Sequence, residues 1–292
     1  MVLRPTVEII ARQGWIDPVA DKLRNMTMAA YSAAGLRVQD LLYGTWLGHP
    51  LHPVLTDVAI GGWASALALD LLEAMTRRRE FASGADAAVW LGLAGALGSA
   101  VSGLNDWRWT TAYERPRRIG VGHATFNVTA TTLYVASLFL RRGGSRQAGR
   151  WTGAAGFGVL MLGAYLGGDL VYGQRIGVDH AVIESSPSGF VPVLAEHQLP
   201  EKKPTAAKAG DVPVLLVRYD DQIYALLDTC AHLGCSLANG HLEDRSIVCP
   251  CHGSRFALAD GKVLNGPATL PEPHFDARVR DGQIEVRVQT EP

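Results

Sequence analysis

Four apolar stretches, near residues 54–75, 87–104, 120–140 and 151–173, constrain this 292-residue chain more than any other feature. Each is about long enough to cross the ~30 Å hydrocarbon core of a bilayer as a helix. A backbone in that core has no water to bond, so it must satisfy itself within the helix. A soluble four-helix bundle would need similar apolar content. Here, however, the interiors hold few charges and the ends carry arginines: Arg77-Arg78-Arg79, Arg115 with Arg117-Arg118, and Arg141-Arg142 with Arg146. Small residues recur four apart at Gly95, Ser99 and Gly103, and again at Gly163 and Gly167, the spacing of helices packed in lipid. The chain is read as membrane-spanning.

Residues 1–50 and 189–292 lack such runs. Residues 5–45 mix Val7, Ile10, Trp15, Val19, Leu23 and Met26 with charges and read as amphipathic helix and loop. The opening MVLRPTVEII has no long apolar core behind a basic start, so insertion is expected to rely on the internal segments. Arginines flank both ends of the helices and leave the side of the C-terminal domain undecided. A folded metal domain cannot pass a channel for unfolded chains, which favours the cytoplasmic side. A net charge of −1 gives no support for nucleic acid as a partner.

The four segments also suggest two related hairpins. Gly48-His49 precedes the first and Gly122-His123 opens the third; the second ends Gly103-Leu-Asn105-Asp106 and the fourth Gly167-Gly168-Asp169.

From Gly189 the pattern changes to short strands and turns. Val212–Tyr219 and Gln222–Leu227 flank Asp220-Asp221, and Phe275–Val279 and Ile284–Val288 flank Asp281-Gly282, two hairpin signatures. Two boxes lie between them: Cys230-Ala-His232-Leu-Gly-Cys235 and Cys249-Pro-Cys251-His252-Gly-Ser254. They hold all four cysteines of the chain. Two thiolates and two imidazoles suit a [2Fe-2S] cluster, the Cys pair on one iron and the His pair on the other. Structural zinc can use the same donor set. The extra cysteine in each box and the glycines Gly234 and Gly253 favour the cluster.

The boxes, with the following Gly266-Pro267-Ala268, resemble the Rieske family over Gly189 to Val288. The resemblance implies Cys230, His232, Cys249 and His252 as ligands, a Cys235–Cys251 disulfide, and Gly266-Pro267-Ala268 as a loop covering the cluster. It also implies that Ser254 donates to a cluster sulfur. Phe256 stands where the quinol-oxidising branch usually has Tyr, so a lower potential is expected. The stretch Gly44-Thr-Trp46-Leu-Gly48-His49-Pro-Leu-His52-Pro53, with Gly167-Gly168-Asp169-Leu-Val-Tyr172, resembles the DUF2231 type of four-helix bacterial membrane domain.

His49, His52, Asp57, Asn105, Asp106, His123, Asn127 and Asp169 all fall toward one end of the four helices, and intramembrane ionisable residues mark functional sites by default. Three readings stay open. His52 and His123 ligate a b-type haem; the group binds a quinone; or it caps helix ends and pairs with Arg108 or Arg118. Asp70 lies toward the opposite end.

The expected architecture is multi-domain: an amphipathic segment at 1–48, an all-α four-helix transmembrane bundle at 49–175, a linker at 176–188 with a hinge at Ser185–Ser188, and an all-β Rieske-type domain at 189–292. The expected function is one-electron transfer at a bacterial plasma membrane, with a redox protein or the quinone pool as partner. The alternatives are a quinol/quinone oxidoreductase with haem b or quinone in the bundle, and a membrane-tethered ferredoxin component of an oxygenase system.

Overall fold

The computed structural model describes residues 4–183 and 187–288. The expected hinge at Ser185–Ser188 therefore lies partly outside the described residues. The chain divides into two compact units, Met1–Gly35 with Leu51–Ile176, and Leu36–Pro50 with Gly177–Pro292. The division runs through the N-terminal segment, which the sequence had suggested was one piece.

The first unit is helical. Helices α1 (Arg4–Ala11) and α2 (Ile16–Ala34) precede four long helices, α4 (Leu51–Thr76), α5 (Arg79–Trp107), α6 (Glu114–Arg142) and α7 (Arg146–Gly168); α3 (Leu36–Tyr43) belongs to the other unit. Among the described residues, α4, α5 and the run Arg146–Gly173 are long and apolar enough to cross a membrane. At 26 to 29 residues these helices are roughly 40 Å long. Helix α6 is as long but more polar. Its first turn holds Glu114, Arg115 and Arg117, and its middle holds His123, Asn127 and four threonines. Those threonines bond back to carbonyls of their own helix, for example Thr125 to Val121 at 2.8 Å and Thr131 to Asn127 at 2.8 Å, so their hydroxyls need no water.

Helix α4 packs along α5, and α6 along α7. The hairpins repeat each other, with one offset between their first helices and another between their second. His52, Trp63 and Asp70 of α4 correspond to His123, Tyr134 and Arg141 of α6, each 71 residues on. Gly92, Ser99 and Gly103 of α5 correspond to Gly156, Gly163 and Gly167 of α7, each 64 residues on. His52, rather than His49, is thus the counterpart of His123. The corresponding residues of α4 and α6 meet one another, as a two-fold relation between the hairpins requires. Trp63 stacks on Tyr134 with ring centroids 4.2 Å apart and planes 9° apart. Asp70 pairs with Arg141, its Oδ1 accepting from Nη1 at 2.7 Å, and both are buried. The imidazoles of His52 and His123 lie 6.2 Å apart. Gly92 is required by the stack, since a Cβ there would meet the Trp63 ring at 2.2 Å.

The amphipathic start of the chain is docked on α6. Val7 and Ala11 bury themselves with Ile119 and Leu166. Arg115 forks onto Glu8 at 2.7 and 3.0 Å, and Arg118 onto Asp17 at 2.6 and 2.9 Å.

Among the described residues the second unit holds ten strands: β1 (Val191–Ala195), β2 (Thr205–Ala209), β3 (Val212–Tyr219), β4 (Gln222–Leu227), β5 (His241–Glu243), β6 (Ser246–Val248), β7 (Arg255–Ala257), β8 (Val263–Asn265), β9 (His274–Arg280) and β10 (Gln283–Val288). They form a six-stranded sheet, order β1-β10-β9-β4-β3-β2, and a four-stranded sheet, order β5-β6-β7-β8, with antiparallel neighbours throughout. The two expected hairpins form. Asp220 and Asp221 turn β3 into β4 at φ of 51° and 61°, and Asp281 and Gly282 turn β9 into β10 at 51° and 73°, as a two-residue hairpin with right-handed strand twist demands. The small sheet and the buried face of β3–β4 enclose Leu215, Val217, Leu226, Leu237, Ile247, Phe256 and Leu258 together with Cys230 and Cys249. The thiols are therefore anchored in the core, at the base of two loops.

Candidate metal centre

The first box lies in the loop from β4 to β5 and the second in the turn from β6 to β7. They fold alike. Gly234 N donates to Cys230 O at 2.8 Å, and Gly253 N to Cys249 O at 3.1 Å. Cys230 N returns to Cys235 O, and Cys249 N to Ser254 O, both at 2.8 Å. Gly234 and Gly253 sit at φ of 77° and 79°, a left-handed conformation that suits glycine. The turns aim amides at the sulfurs: His232 N–H donates to Cys230 Sγ, and the N–H groups of Cys251 and His252 donate to Cys249 Sγ. A disulfide between Cys235 and Cys251 ties the loops together.

Cys230 and Cys249 are free and buried. The Cys230 thiol donates to Cys249 Sγ; this bond, aided by the two amides and against burial, holds Cys249 down at about 6. The same bond and burial push the Cys230 thiol up. His232 and His252 stand beside the two cysteines, Nδ1 to Nδ1 at 3.2 Å, ring planes 87° apart. Burial, reinforced by His252 and His180, holds His232 down to about 3, and burial lowers His252 as well. Both imidazoles are neutral at pH 7, the state that ligates.

A single ion would need its donors gathered about one point. Among the described residues, the one group of three or more donor atoms gathered so closely is Cys235, Cys249 and Cys251, two of which are consumed by the disulfide. Cys230 with Cys249, and His232 with His252, instead stand as two pairs. That arrangement fits two irons, one bound by sulfur and one by nitrogen, and not a tetrahedral zinc.

Asp228, Glu272 and Asp40 support the site without a signal in the sequence, whereas Ser254 and the Gly266-Pro267-Ala268 loop were expected near it. Asp228 accepts from Ala238 N at 2.6 Å and from the Ser236 hydroxyl at 2.7 Å, shaping the first box. Glu272 accepts from Ala231 N at 2.6 Å, between the first two ligands; its other oxygen is buried without a partner, and burial raises its carboxyl to about 9. Ser254 Oγ accepts from Ala268 N at 3.0 Å, tying the second box to the Gly266-Pro267-Ala268 loop. That loop is held from far away in sequence. Asp40 of α3 accepts from Asn265 Nδ2 and from Gly266 N, each at 2.8 Å, and Tyr43 packs against Gly266 so closely that a Cβ would sit 2.5 Å from its ring. Pro267 and Ala268 line a small cleft beside His232. Phe256, fully buried, is a core aromatic.

In the helical unit, His52, His123 and Asn127 come together, Asn127 donating to His123 O at 2.8 Å. His49 is exposed and close to Pro50 O, and Asp57 is exposed. Arg118 pairs with Asp17 and Glu114, residues outside the expected polar cluster.

The Rieske [2Fe-2S] domain family matches residues 189–285, and the family described as predicted membrane protein (DUF2231) matches residues 48–180. The ferredoxin subunit of anthranilate 1,2-dioxygenase from Burkholderia cepacia is 31% identical over 105 residues, 36% of this chain and 97% of that protein. Ferredoxin CarAc from Metapseudomonas resinovorans is 37% identical over 79 residues, 27% of this chain and 74% of that protein. The cytochrome b6-f complex iron-sulfur subunit 3 from a Nostoc species is 41% identical over 88 residues, 30% of this chain and 48% of that protein. A Rieske domain carries a [2Fe-2S] cluster, and the two donor pairs described above fit it. The chain belongs to the Rieske [2Fe-2S] family, its Rieske domain following a DUF2231 membrane domain.

Proposed function

We propose that this protein is a membrane-bound one-electron carrier whose cluster is held by Cys230 and Cys249 on one iron and by His232 and His252 on the other. The cluster supplies a one-electron couple whose potential rises when imidazoles replace thiolates. The observation that carries the reading is the gradient across the site: the cysteines are buried and the histidines are half-exposed. An electron therefore leaves on the imidazole side, where a redox protein or a quinol docks. The chain's own residues keep the sulfurs dry and bonded to amides, hold both imidazoles neutral, and lock the loops with the disulfide. The apolar helices support the reading of a multi-pass protein, and the bacterial plasma membrane is the proposed location.

The test is electron paramagnetic resonance of the reduced full-length protein. His252→Ala and Cys249→Ser are each expected to abolish the Rieske signal, and Cys235→Ser to weaken the cluster without abolishing it. An unchanged signal in His252→Ala would sink the ligand assignment. A second reading, a tethered ferredoxin feeding an oxygenase, draws on the likeness to the Burkholderia cepacia subunit over nearly its whole length. Reduction by a flavin reductase, without oxidation of quinol, would select it.

A further inference from the structure

Helix α2 leaves a long apolar stripe uncovered. At about 100° per residue, Trp15, Val19, Leu23, Met26 and Ala30 share a sector roughly 80° wide. All five are exposed. Beside that sector lies the docked face, where Ile16 and Ala20 are buried and the Tyr31 hydroxyl donates to Val101 O of α5 at 2.6 Å. On the far side of the docked face, Asp17 and Asp21 meet Arg117 and Arg118 of α6 at 2.6 to 3.3 Å. The remaining arc carries Lys22, Arg24, Asn25 and Ser32, all exposed. One flank of the docked face is therefore closed by charge pairs, and the other is open and apolar. The stripe runs roughly 22 Å along the helix. So continuous a strip is not the scatter of single exposed apolar residues that any soluble surface shows.

The partner on α5 sets the level of the helix. Val101 stands six residues before Trp107, the last residue of α5, and so roughly 9 Å from that end. The 29 residues of α5 exceed a ~30 Å hydrocarbon core by roughly 6 Å at each end. The bond from Tyr31 thus falls at the boundary between headgroups and acyl chains. Leu97, Val101 and Leu104 are exposed on α5 and continue the apolar surface from that level toward the core. Interfacial helices bury an apolar face about 5–10 Å into this same boundary. Two side chains suit the place. The Trp15 indole N–H donates to Gln13 Oε1 at 3.1 Å, so the ring can enter the acyl boundary with its donor satisfied. Lys22 borders the stripe, where its stem can cover apolar surface while the ammonium reaches headgroups.

We propose that α2 lies in the membrane interface as a monotopic helix, its stripe from Trp15 to Ala30 covered by the acyl boundary of the bilayer. The proposal rests on the multi-pass reading of the long helices. The test uses full-length protein carrying p-benzoylphenylalanine in place of Val19, Met26, Asn25 or Leu97, one position at a time. Each protein is reconstituted in vesicles of phosphatidylethanolamine and phosphatidylglycerol and irradiated, and mass spectrometry counts lipid and chain–chain adducts. Leu97 reports the outer face of α5, and Asn25 the polar arc of α2. Lipid adducts at Val19 and Met26 should match those at Leu97 within about twofold and exceed those at Asn25 by about fivefold or more. Adducts at Leu97 but not at Val19 or Met26 would overturn the interfacial helix and leave the multi-pass reading standing. Chain–chain adducts there in place of lipid would overturn it in favour of a second copy. Absence of lipid adducts at all four positions would overturn the multi-pass reading and this inference with it. As a second measurement, brominated lipid should quench the Trp15 emission, taken as wild type minus Trp15→Phe, by about twofold or more, and unquenched emission would overturn the seat.

Discussion

Replacing Asp40 by alanine should loosen the loop beside His232, although residue 40 and the loop are more than two hundred positions apart. The carboxylate accepts from Asn265 Nδ2 and Gly266 N, each at 2.8 Å. Hydrogen bonds to a charged partner are worth about 1.5–3 kcal/mol each. Asp40 is half-buried, so water recovers part of the loss, and the net cost to the loop is about 2–4 kcal/mol. At about 1.4 kcal/mol per factor of ten, the open population of the loop rises roughly 30- to 700-fold. Hydrogen exchange read by mass spectrometry on a peptide covering residues 263–270 measures that population directly. The wild type should protect Gly266 and Ala268, and Asp40→Ala should lose that protection by the stated factor. Asp40→Asn keeps one acceptor oxygen and should fall between them. Cluster loss to a chelator should accelerate in the same order. Protection in Asp40→Ala within about threefold of wild type would refute the idea that α3 pins this loop.

Three further outcomes are expected. Glu272 titrates near 4.5 in the unfolded chain and at about 9 when folded, so the unfolded state releases its proton first and stability falls as pH rises through that window. Glu272→Gln should therefore be close to neutral near pH 5 and stabilising near pH 8 by an amount on the order of 4 kcal/mol, and parallel melting curves across that range would refute the buried-acid argument. Asp70→Asn removes the buried partner of Arg141 and leaves it only the half-exposed Asp86 carboxylate at 3.1 Å, at a cost of about 3 kcal/mol, while the double variant with Arg141→Met should cost less than the sum, read by thermal unfolding in detergent. Phe256→Tyr adds a hydroxyl within the core that holds the ligand sulfurs; a bond to one of them, worth about 1–2 kcal/mol, would raise the midpoint potential by about 40–90 mV in voltammetry, and a shift under about 10 mV would mean that the hydroxyl points elsewhere.

The parts of the fold that were legible in the sequence are those whose cause is local. Asp220-Asp221 and Asp281-Gly282 can be read as turns because two consecutive left-handed residues are a local demand. The apolar segments can be read as helices because the bilayer allows little else. The ligand boxes can be read because a metal needs its donors within a few residues of one another on each loop. What was not legible depends on distant partners. Nothing around Asp40 announces Asn265, and Glu272 looks like any surface acid until the fold buries it under Ala231. The register of the repeat is hidden for a related reason, although the sequence does offer His52 and His123 as a candidate pair. Gly48-His49 and Gly122-His123 match as dipeptides, but the helices are aligned by what their faces touch, and His52 sits on the inner face while His49 precedes the helix.

The repeat also explains why the three paired levels differ in kind. Where a two-fold relation brings corresponding positions together, each residue meets its own counterpart. With identical chains an aspartate would face an aspartate, and two like charges would be buried together. A covalently joined pair of hairpins is free to differ, and two of the levels do: Asp70 faces Arg141, and Trp63 faces Tyr134. At the third level both positions are histidine, and each is held by the same carbonyl bond to the neighbouring helix.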